Sequence, residues 1–228
     1  FGLIGSALCQ YGYYTSIQYS NAAFATVLSY MAPVMILVYT VVKERRAPRG
    51  YELAAVLLVA LGAFSCATQF KLGALHIAPL ALIWGLLSAV AFAFYTITPQ
   101  KLIQEYSLLP IVGWGMILGG IVLALLCRPW TVAVTVNAHL FIMLAGVIFL
   151  GTICSFCFYQ AGVSIVGGLA GSILSAAEPV TSVMISTLLL HVLFTSFDLA
   201  GFVMILTAIP LIAVGEHWSE KQVVSLRK

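Results

Sequence analysis

Long apolar runs, separated by short connectors, cover almost all of this 228-residue chain. A helix needs about 20 consecutive apolar residues to cross the hydrocarbon core of a lipid bilayer. The alternation over about ten residues that marks a strand of a membrane β-barrel is absent. The sequence therefore predicts an all-α integral membrane protein, a polytopic helical bundle of eight spans. The runs lie at residues 1–19, 22–42, 51–70, 78–99, 108–127, 139–163, 168–193 and 197–215.

The low content of charged residues also indicates that lipid surrounds the protein. Asp, Glu, Lys and Arg make up 7% of the chain, whereas a soluble domain draws about a quarter of its residues from these types. We therefore expect the lipid bilayer to surround most of the surface. The basic residues lie in a few connectors and in the tail, without the aromatic-lined basic stripe of a nucleic-acid binder. The short connectors leave no room for a soluble catalytic domain.

The distribution of Lys and Arg predicts the orientation, because these residues stay on the cytoplasmic side of a membrane protein. Two spans separate successive connectors on the same side. One side then carries eight basic residues and the other carries two, so we expect a multi-pass protein of the cell membrane with a cytoplasmic C-terminus. The eight are Lys43, Arg45, Arg46, Arg49, Lys101, Lys221, Arg227 and Lys228, and the two are Lys71 and Arg128.

The chain matches itself without gaps at an offset of 146 residues. Five predicted spans separate an element from its copy, and five is odd, so the copies should cross the membrane in opposite senses. The basic connector at 43–49 then has a copy at 191–197 that contains no Lys or Arg. Inverted repeats are a hallmark of secondary transporters, whose substrate site lies between the repeats near the midplane. Matching pairs include Gly5 with Gly151, Tyr13 with Tyr159, Ser29 with Ser175, and Pro33 with Pro179.

The same offset predicts the domain organisation. Residues 1–70 form the C-terminal three helices of a first repeat, residues 78–215 form a second repeat of five helices, and residues 216–228 form a cytoplasmic tail. The second repeat begins near residue 78, so its partner should begin about 68 residues before Phe1. That length suits two more helices. We expect a complete protein of ten spans in two inverted five-helix units.

Several short motifs resemble the EamA-type branch of the drug/metabolite transporter superfamily. They read Tyr-Ser-Asn-Ala-Ala at 19–23, Met-Ala-Pro-Val at 31–34 and Ser-Ala-Ala-Glu-Pro-Val at 175–180. The resemblance covers essentially the whole chain. It implies ten helices, both ends in the cytoplasm, and movement of small metabolites or drugs, often outward; it also implies that the first two helices are absent here. Where the family usually has a Leu-Gly-Glu-like element, this chain has Leu-Leu-His at 189–191.

Polar side chains form a stripe on the helix predicted at 168–193. They recur at spacings of three and four, which places them on one helical face. The copied helix carries Thr26 and Ser29 at matching places. Two such stripes predict a shared polar cavity, with hydrogen bonding between helices as the alternative. The stripe consists of Ser172, Ser175, Glu178, Ser182 and Ser186.

Glu178 is the one acidic residue well inside a predicted span, and its copy is Ala32. An acid at the bilayer centre costs roughly 2.5–3.5 kcal/mol on insertion scales, and such residues are functional candidates. One hypothesis is that Glu178 binds and releases a proton coupled to substrate movement. The alternative is a permanently protonated or hydrogen-bonded side chain beside a bend. We expect Pro33 and Pro179 to bend their helices.

Amphipathic residues on three further spans complete the predicted cavity. Such side chains suit a pocket for a small organic solute that is apolar in body with a few polar contacts, although Tyr and Trp near span ends also act as interfacial anchors. No His or Cys spacing predicts a metal site, and no motif predicts a cofactor. The candidates are Gln10 and Tyr14, the copied Tyr159 and Gln160, and Trp84 with Tyr95 on the fourth span.

The function that these patterns favour is secondary transport of a small metabolite or drug-like solute by alternating access. An intramembrane enzyme would need paired acids, a His cluster or a nucleophile with its base, and Glu178 has no such partner in reach by sequence. A receptor or scaffold without flux stays open as an alternative, as does a truncated transporter without function.

Overall fold

The computed structural model describes residues 1–68, 78–131, 137–178, 180, 181 and 195–226. Within these ranges the regular secondary structure is helical and contains no strand. Six residues of the sequence-based predictions lie outside these ranges, together with the predicted connector copy at 191–194. They are Lys71, Pro179, Ser182, Ser186, Arg227 and Lys228.

Residues 1–68 form four helices. A π-helical segment at Gly2–Ala7 leads into α1 (Leu8–Tyr19), which is followed by α2 (Ala22–Ser29), α3 (Ala32–Glu44) and α4 (Gly50–Thr68). The Asn21 side chain accepts a hydrogen bond of 2.9 Å from the Phe24 N–H, which caps α2. Residues 30 and 31 separate α2 from α3, so the run predicted at 22–42 is a broken helix. Pro33 lies in the first turn of α3, where a missing N–H costs nothing.

The remaining described residues form seven helices and two short helical segments. Gly167, with a φ of 86°, joins two helices through a conformation that glycine adopts without strain. The order is α5 (Pro79–Ile97), α6 (Pro99–Tyr106), α7 (Leu108–Cys127), a 3₁₀ turn (Pro129–Thr131), α8 (Ala138–Gly146), a π-helical segment (Val147–Cys154), α9 (Ser155–Val166), α10 (Gly168–Ser175) and α11 (Ser196–Leu226). Helix α11 continues past residue 215, which is the predicted end of the last span.

Element bounds agree with the offset of 146 residues. Ala22–Ser29 of α2 corresponds residue for residue to Gly168–Ser175 of α10. The first residues of α4 and α11 are Gly50 and Ser196, which are also 146 apart. The two π-helical segments overlap at the same offset, and each leads directly into the next helix. The repeated sequence pattern therefore accompanies a repeated order of local structure.

Four helical stretches in the described part of the chain are long and apolar enough to cross a membrane. They correspond to the second, fourth, fifth and sixth predicted spans, and three of them combine neighbouring elements, among them α2 and α3. The stretches are Phe24–Glu44, Pro79–Tyr106, Leu108–Cys127 and Ala138–Val166. Gly50–Ser65 and Leu199–Gly215 are shorter apolar helices at the third and eighth predicted spans. The first, third, seventh and eighth predicted spans stay predictions as membrane crossings.

Close backbone approach holds the bundle together. The most extensive pairings are α4 with α11 and α1 with α5. A Cβ added to Gly62 would lie 2.8 Å from the Gly201 carbonyl oxygen, and one added to Gly12 would lie 2.9 Å from the Trp84 carbonyl oxygen. Ser16 donates a hydrogen bond of 2.8 Å to the Ala81 carbonyl. Small side chains and cross-helix hydrogen bonds are the means by which membrane helices associate.

Apolar side chains also cover the outside of the molecule. A core of residues from α3, α4, α5, α10 and α11 is buried, but none of the residues of α8 or the π-helical segment after it is. Ile142 and Leu150 are each 69% exposed. Contiguous apolar surface of this extent is unusual on a soluble monomer and suits contact with lipid.

Ion pairs shape the connector between α3 and α4. The Arg46 guanidinium donates to both carboxylate oxygens of Glu52, at 2.6 and 2.8 Å, and also pairs with Glu44. The Arg49 N–H donates to the same Glu52 carboxylate at 2.8 Å. The hydrogen bonds to Glu52, and next those to Glu44, raise the pKa of the Arg46 guanidinium above its ordinary value. This connector is therefore a folded, ion-paired turn.

Candidate functional site

A cavity of about 630 Å³ lies among α1, α2, α5, α9 and α10. We call it the central cavity. Its volume falls within the range of about 300–1,000 Å³ that small-molecule sites occupy. Both halves of the chain contribute to its wall, since α2 and α10, which correspond at the 146-residue offset, each provide polar residues. The wall therefore combines Ser172, Ser175 and Glu178 of one predicted polar stripe with Thr26 and Ser29 of the other.

Most of the predicted site residues line the central cavity. Two candidates do not: Trp84 packs against the Tyr11 ring at a centroid distance of 5.4 Å, and Gln160 is fully buried behind the wall. Ser182 and Pro179 lie outside the described residues. Those that line it are Gln10, Tyr14, Thr26, Ser29, Pro33, Tyr95, Tyr159, Ser175 and Glu178.

Four aromatic rings form one wall of the central cavity. Tyr95 lies at their centre, with its ring centroid 6.2 Å from that of Tyr159, 6.1 Å from Phe92 and 5.6 Å from Phe156. The Phe156 ring meets Tyr95 edge to face. Aromatic pairs in these arrangements attract one another beyond the area they bury. The wall is therefore a packed, rigid surface rather than a set of independent side chains.

Serine hydroxyls in the cavity wall bond to their own helices. Ser29 donates to the Ala25 carbonyl at 3.0 Å, Ser172 to Leu169 at 2.8 Å and Ser175 to Ser172 at 2.8 Å. A hydroxyl that donates once keeps two lone pairs as acceptors. These three side chains can accept hydrogen bonds from a solute in the cavity without giving up a bond between helices.

Glu178 lines the cavity on the far side of a two-residue turn that follows α10. Among the lining residues that the structure describes there is no Asp, Lys, Arg or His, so Glu178 is the one formal charge available to the site. Within the described ranges no group of three or more His, Cys, Asp and Glu side chains could hold a metal ion. The carboxylate can bind a proton or a cationic group of a solute.

Several lining residues are not among those predicted from the sequence. Tyr13 and Thr26 hydroxyls lie 3.1 Å apart across α1 and α2, and Tyr30, Phe92 and Phe156 supply aromatic surface. A signal for one of them was present, because Tyr13 pairs with Tyr159 at the 146-residue offset. Phe92 and Phe156 lie three residues before Tyr95 and Tyr159, so helical spacing would have added them to the same faces.

Comparisons with known proteins show similarity to one protein family, to one named relative and to one solved structure. The family model described as "EamA-like transporter family" matches residues 1–68 and 79–214. The "Uncharacterized inner membrane transporter YicL" of Salmonella typhimurium strain LT2 is 36% identical over 214 residues, which are 94% of this chain and 71% of that protein. A solved structure described as "Crystal structure of protein" is 15% identical, with a TM-score of 0.75, and the match covers 93% of this chain and 74% of the other. At this identity the solved structure shows a shared fold alone.

Proposed function

Because the chain belongs to the EamA-like transporter family, and is therefore a membrane transporter, we propose that it moves a small organic solute by alternating access. The resemblance of the motifs at 19–23 and 175–180 to this family is confirmed by the family match. The observation that carries the proposal is the convergence of polar residues from both halves on one cavity. A solute-sized site between two repeats is the arrangement that secondary transporters use.

The proposed architecture consists of two inverted units. We assign residues 1–70 to the first and 78–215 to the second, with eight spans in this chain and the tail at 216–228 in the cytoplasm of the cell. The agreement of α2 with α10, and of the starts of α4 and α11, supports two related units. The excess of basic residues around 43–49 supports the orientation. Rocking of one unit against the other would expose the central cavity to each side in turn.

The cavity wall favours a solute with an apolar or aromatic body and few polar groups. Four packed rings offer an apolar face, while Ser29 and Ser175 offer acceptors at related positions of the two units. Such a mixture of apolar surface and sparse polar contacts is typical of small-molecule sites. The substrate class that we propose is therefore small amphipathic organic molecules.

Glu178 is the proposed coupling residue. Glu178 is exposed to the cavity, and the described part of the cavity wall offers it no Lys, Arg or His. Because a charge within a membrane is costly, we propose that a proton or a positive group of the solute balances it. Exchange of one for the other would couple solute movement to a proton gradient. The alternative, a purely structural acid beside the turn at 176 and 177, predicts no effect on coupling.

The test is transport by purified protein in liposomes, with a labelled panel of small aromatic amines, alcohols and acids. We expect flux of at least one member above that of protein-free liposomes, and we expect Glu178→Gln to remove the dependence of its accumulation on a pH gradient. Since accumulation driven by a gradient of one pH unit is at most about tenfold for one proton, we expect up to about a tenfold loss. The measurement is accumulation with and without the gradient.

Glu105→Gln serves as the matched control, because Glu105 is an exposed acid on α6 that does not line the central cavity. It should transport as the parent does. If Glu178→Gln transports normally with an unchanged pH dependence, the coupling role is wrong. If panel members bind, as judged by a shift in melting temperature, but none crosses the membrane, the protein is a receptor rather than a transporter.

A further inference from the structure

A second cavity, of about 1330 Å³, lies beside the basic connector. Four basic and two acidic residues line it. The end of α3, the first residues of α6 and the end of α9 form part of its wall. None of its lining residues also lines the central cavity. The basic residues are Lys43, Arg46, Arg49 and Lys101, so this cavity opens on the side where the sequence analysis places the cytoplasm.

The two cavities are close to each other along the helices that they share. On α9 the central cavity is lined by Tyr159 and the second cavity by Val163. On α10 the corresponding residues are Ser172 and Leu169. These separations are three and four residues, or about one helical turn of 5.4 Å. Only a thin layer of side chains divides the two spaces.

Hydrogen bonds made by polar side chains, to other side chains and to backbone carbonyls, hold this layer together. Gln160 on α9 donates to the Tyr95 carbonyl of α5 at 2.9 Å and accepts from the Gln100 amide of α6 at 2.7 Å. The Tyr159 and Thr96 hydroxyls are 2.8 Å apart. Thr96 also donates to the Phe92 carbonyl at 2.9 Å, so Tyr159 is the donor in the bond that the two hydroxyls share.

The central polar side chains of this layer are buried. Gln160 and Thr96 each have a relative exposure of 0%. A fully buried amide side chain between helices of a membrane bundle is costly unless its groups are bonded. These hydrogen bonds must break before the helices separate, and water can replace them afterwards. They therefore suit a contact that opens and closes.

We propose that Gln160 is the central residue of a gate between the two cavities, fixing α9 against α5 and α6 when the path is closed. The inference rests on the proposed function in taking the cavities as two halves of one solute path. In the closed arrangement the central cavity is shut off from the second cavity. Opening separates α9 from α5 and α6, and exposes the buried Gln160 and Thr96 side chains to water in the joined space, which Gln100 already lines from the second cavity.

The test measures how fast a thiol reagent crosses the layer. Cys9 lines the central cavity and serves as the target in a background where it is the only cysteine. The reagent is a charged, membrane-impermeant methanethiosulfonate, applied to one face of membrane vesicles. That face is identified by its reaction with Arg45→Cys in a background without native cysteines, because Arg45 is exposed in the connector beside the second cavity. The cysteines replaced by alanine to isolate Cys9 are Cys66, Cys127, Cys154 and Cys157.

We expect Gln160→Met to raise the rate of Cys9 modification from that face by about tenfold, since the hydrogen bonds that hold the closed layer are lost at little change in volume. Thr96→Val, which removes the bond to Tyr159, should raise the rate in the same direction. Gln18→Met is the matched control. Gln18 is an exposed residue of α1 that lines neither cavity, so its replacement should leave the rate unchanged.

Rates in Gln160→Met and Thr96→Val equal to that of the parent overturn the gate. Two variants on different helices keep the test informative should one of them fail to fold, and melting temperature identifies that case. Because cysteine modification needs no transported solute, unchanged rates count against the gate alone. Absence of flux in liposomes together with raised rates counts against the proposed function alone.

Discussion

Replacing Gly12 by leucine is expected to destabilise the protein more than any other single change considered for it. Gly12 lies where α1 crosses α5, and a Cβ there would be 2.9 Å from the Trp84 carbonyl oxygen, 3.2 Å from the Ser88 Cβ and 3.3 Å from the Ser88 nitrogen. Backbone atoms cannot turn away as a flexible side chain can. The helices must therefore separate, which also strains the hydrogen bond of 2.8 Å from Ser88 to the Cys9 carbonyl.

Overpacking of this kind costs about 3 kcal/mol, which corresponds to a melting temperature lower by roughly 6–12 °C for a chain of this length. Thermal unfolding of the purified protein in detergent measures the change. Gly113→Leu is the control, since a Cβ at Gly113 meets nothing within 4 Å, and it should melt within a few degrees of the parent. Equal effects of the two leucines would mean that α1 and α5 do not pack as described.

Filling the central cavity is expected to abolish transport without unfolding the protein. Ser29 and Ser175 line this cavity from α2 and α10 and are half-buried, so a larger side chain can extend into the open space. A tryptophan at either position replaces a hydroxymethyl group by an indole. Because a solute in a site of this size must contact most of the wall, we expect Ser29→Trp and Ser175→Trp each to lower flux by at least about tenfold.

The liposome assay with the aromatic panel measures this loss, and a melting temperature near that of the parent shows that the fold is kept. Val203→Trp adds the same ring at a position on α11 that is 56% exposed and outside both cavities, and it should transport normally. Full flux in both serine variants would place the solute path somewhere other than the central cavity. Since the two serines are 146 residues apart, similar losses would also support their equivalence.

Particular elements show how much of the fold can be predicted from the sequence alone. Runs of about 20 apolar residues predict helices well, because in lipid a helix satisfies its backbone hydrogen bonds within one segment, whereas strands must close into a barrel. The run at 108–127 has the same bounds as α7. The run at 22–42, by contrast, is two helices joined at residues 30 and 31. Periodicity detects an apolar stretch, but a break of two residues changes it too little to be seen.

Part of the candidate site can also be predicted from the periodicity of the sequence. Polar residues spaced three and four apart in an apolar chain identify a helical face, and the repeat brings two such faces together, as Ser29 and Ser175 illustrate. Trp84 and Gln160 show the limit. Their spacing identifies a face of a helix, but it does not show whether that face lines a cavity or packs against another helix. Gln160 is bonded to residues 60 and 65 positions away in sequence, and no local pattern carries that information.

Opposite orientation of the two units is the central claim, and the most direct test of it is the sidedness of two single cysteines. In a background without native cysteines, Arg45→Cys lies in the exposed connector after α3 and Ser196→Cys lies at the exposed start of α11. An impermeant maleimide applied to intact cells and to inverted membrane vesicles reports the compartment of each thiol. We predict that Ser196→Cys reacts in cells and Arg45→Cys only in inverted vesicles. Reaction of both thiols from the same face would contradict the inverted architecture and the transport mechanism built on it.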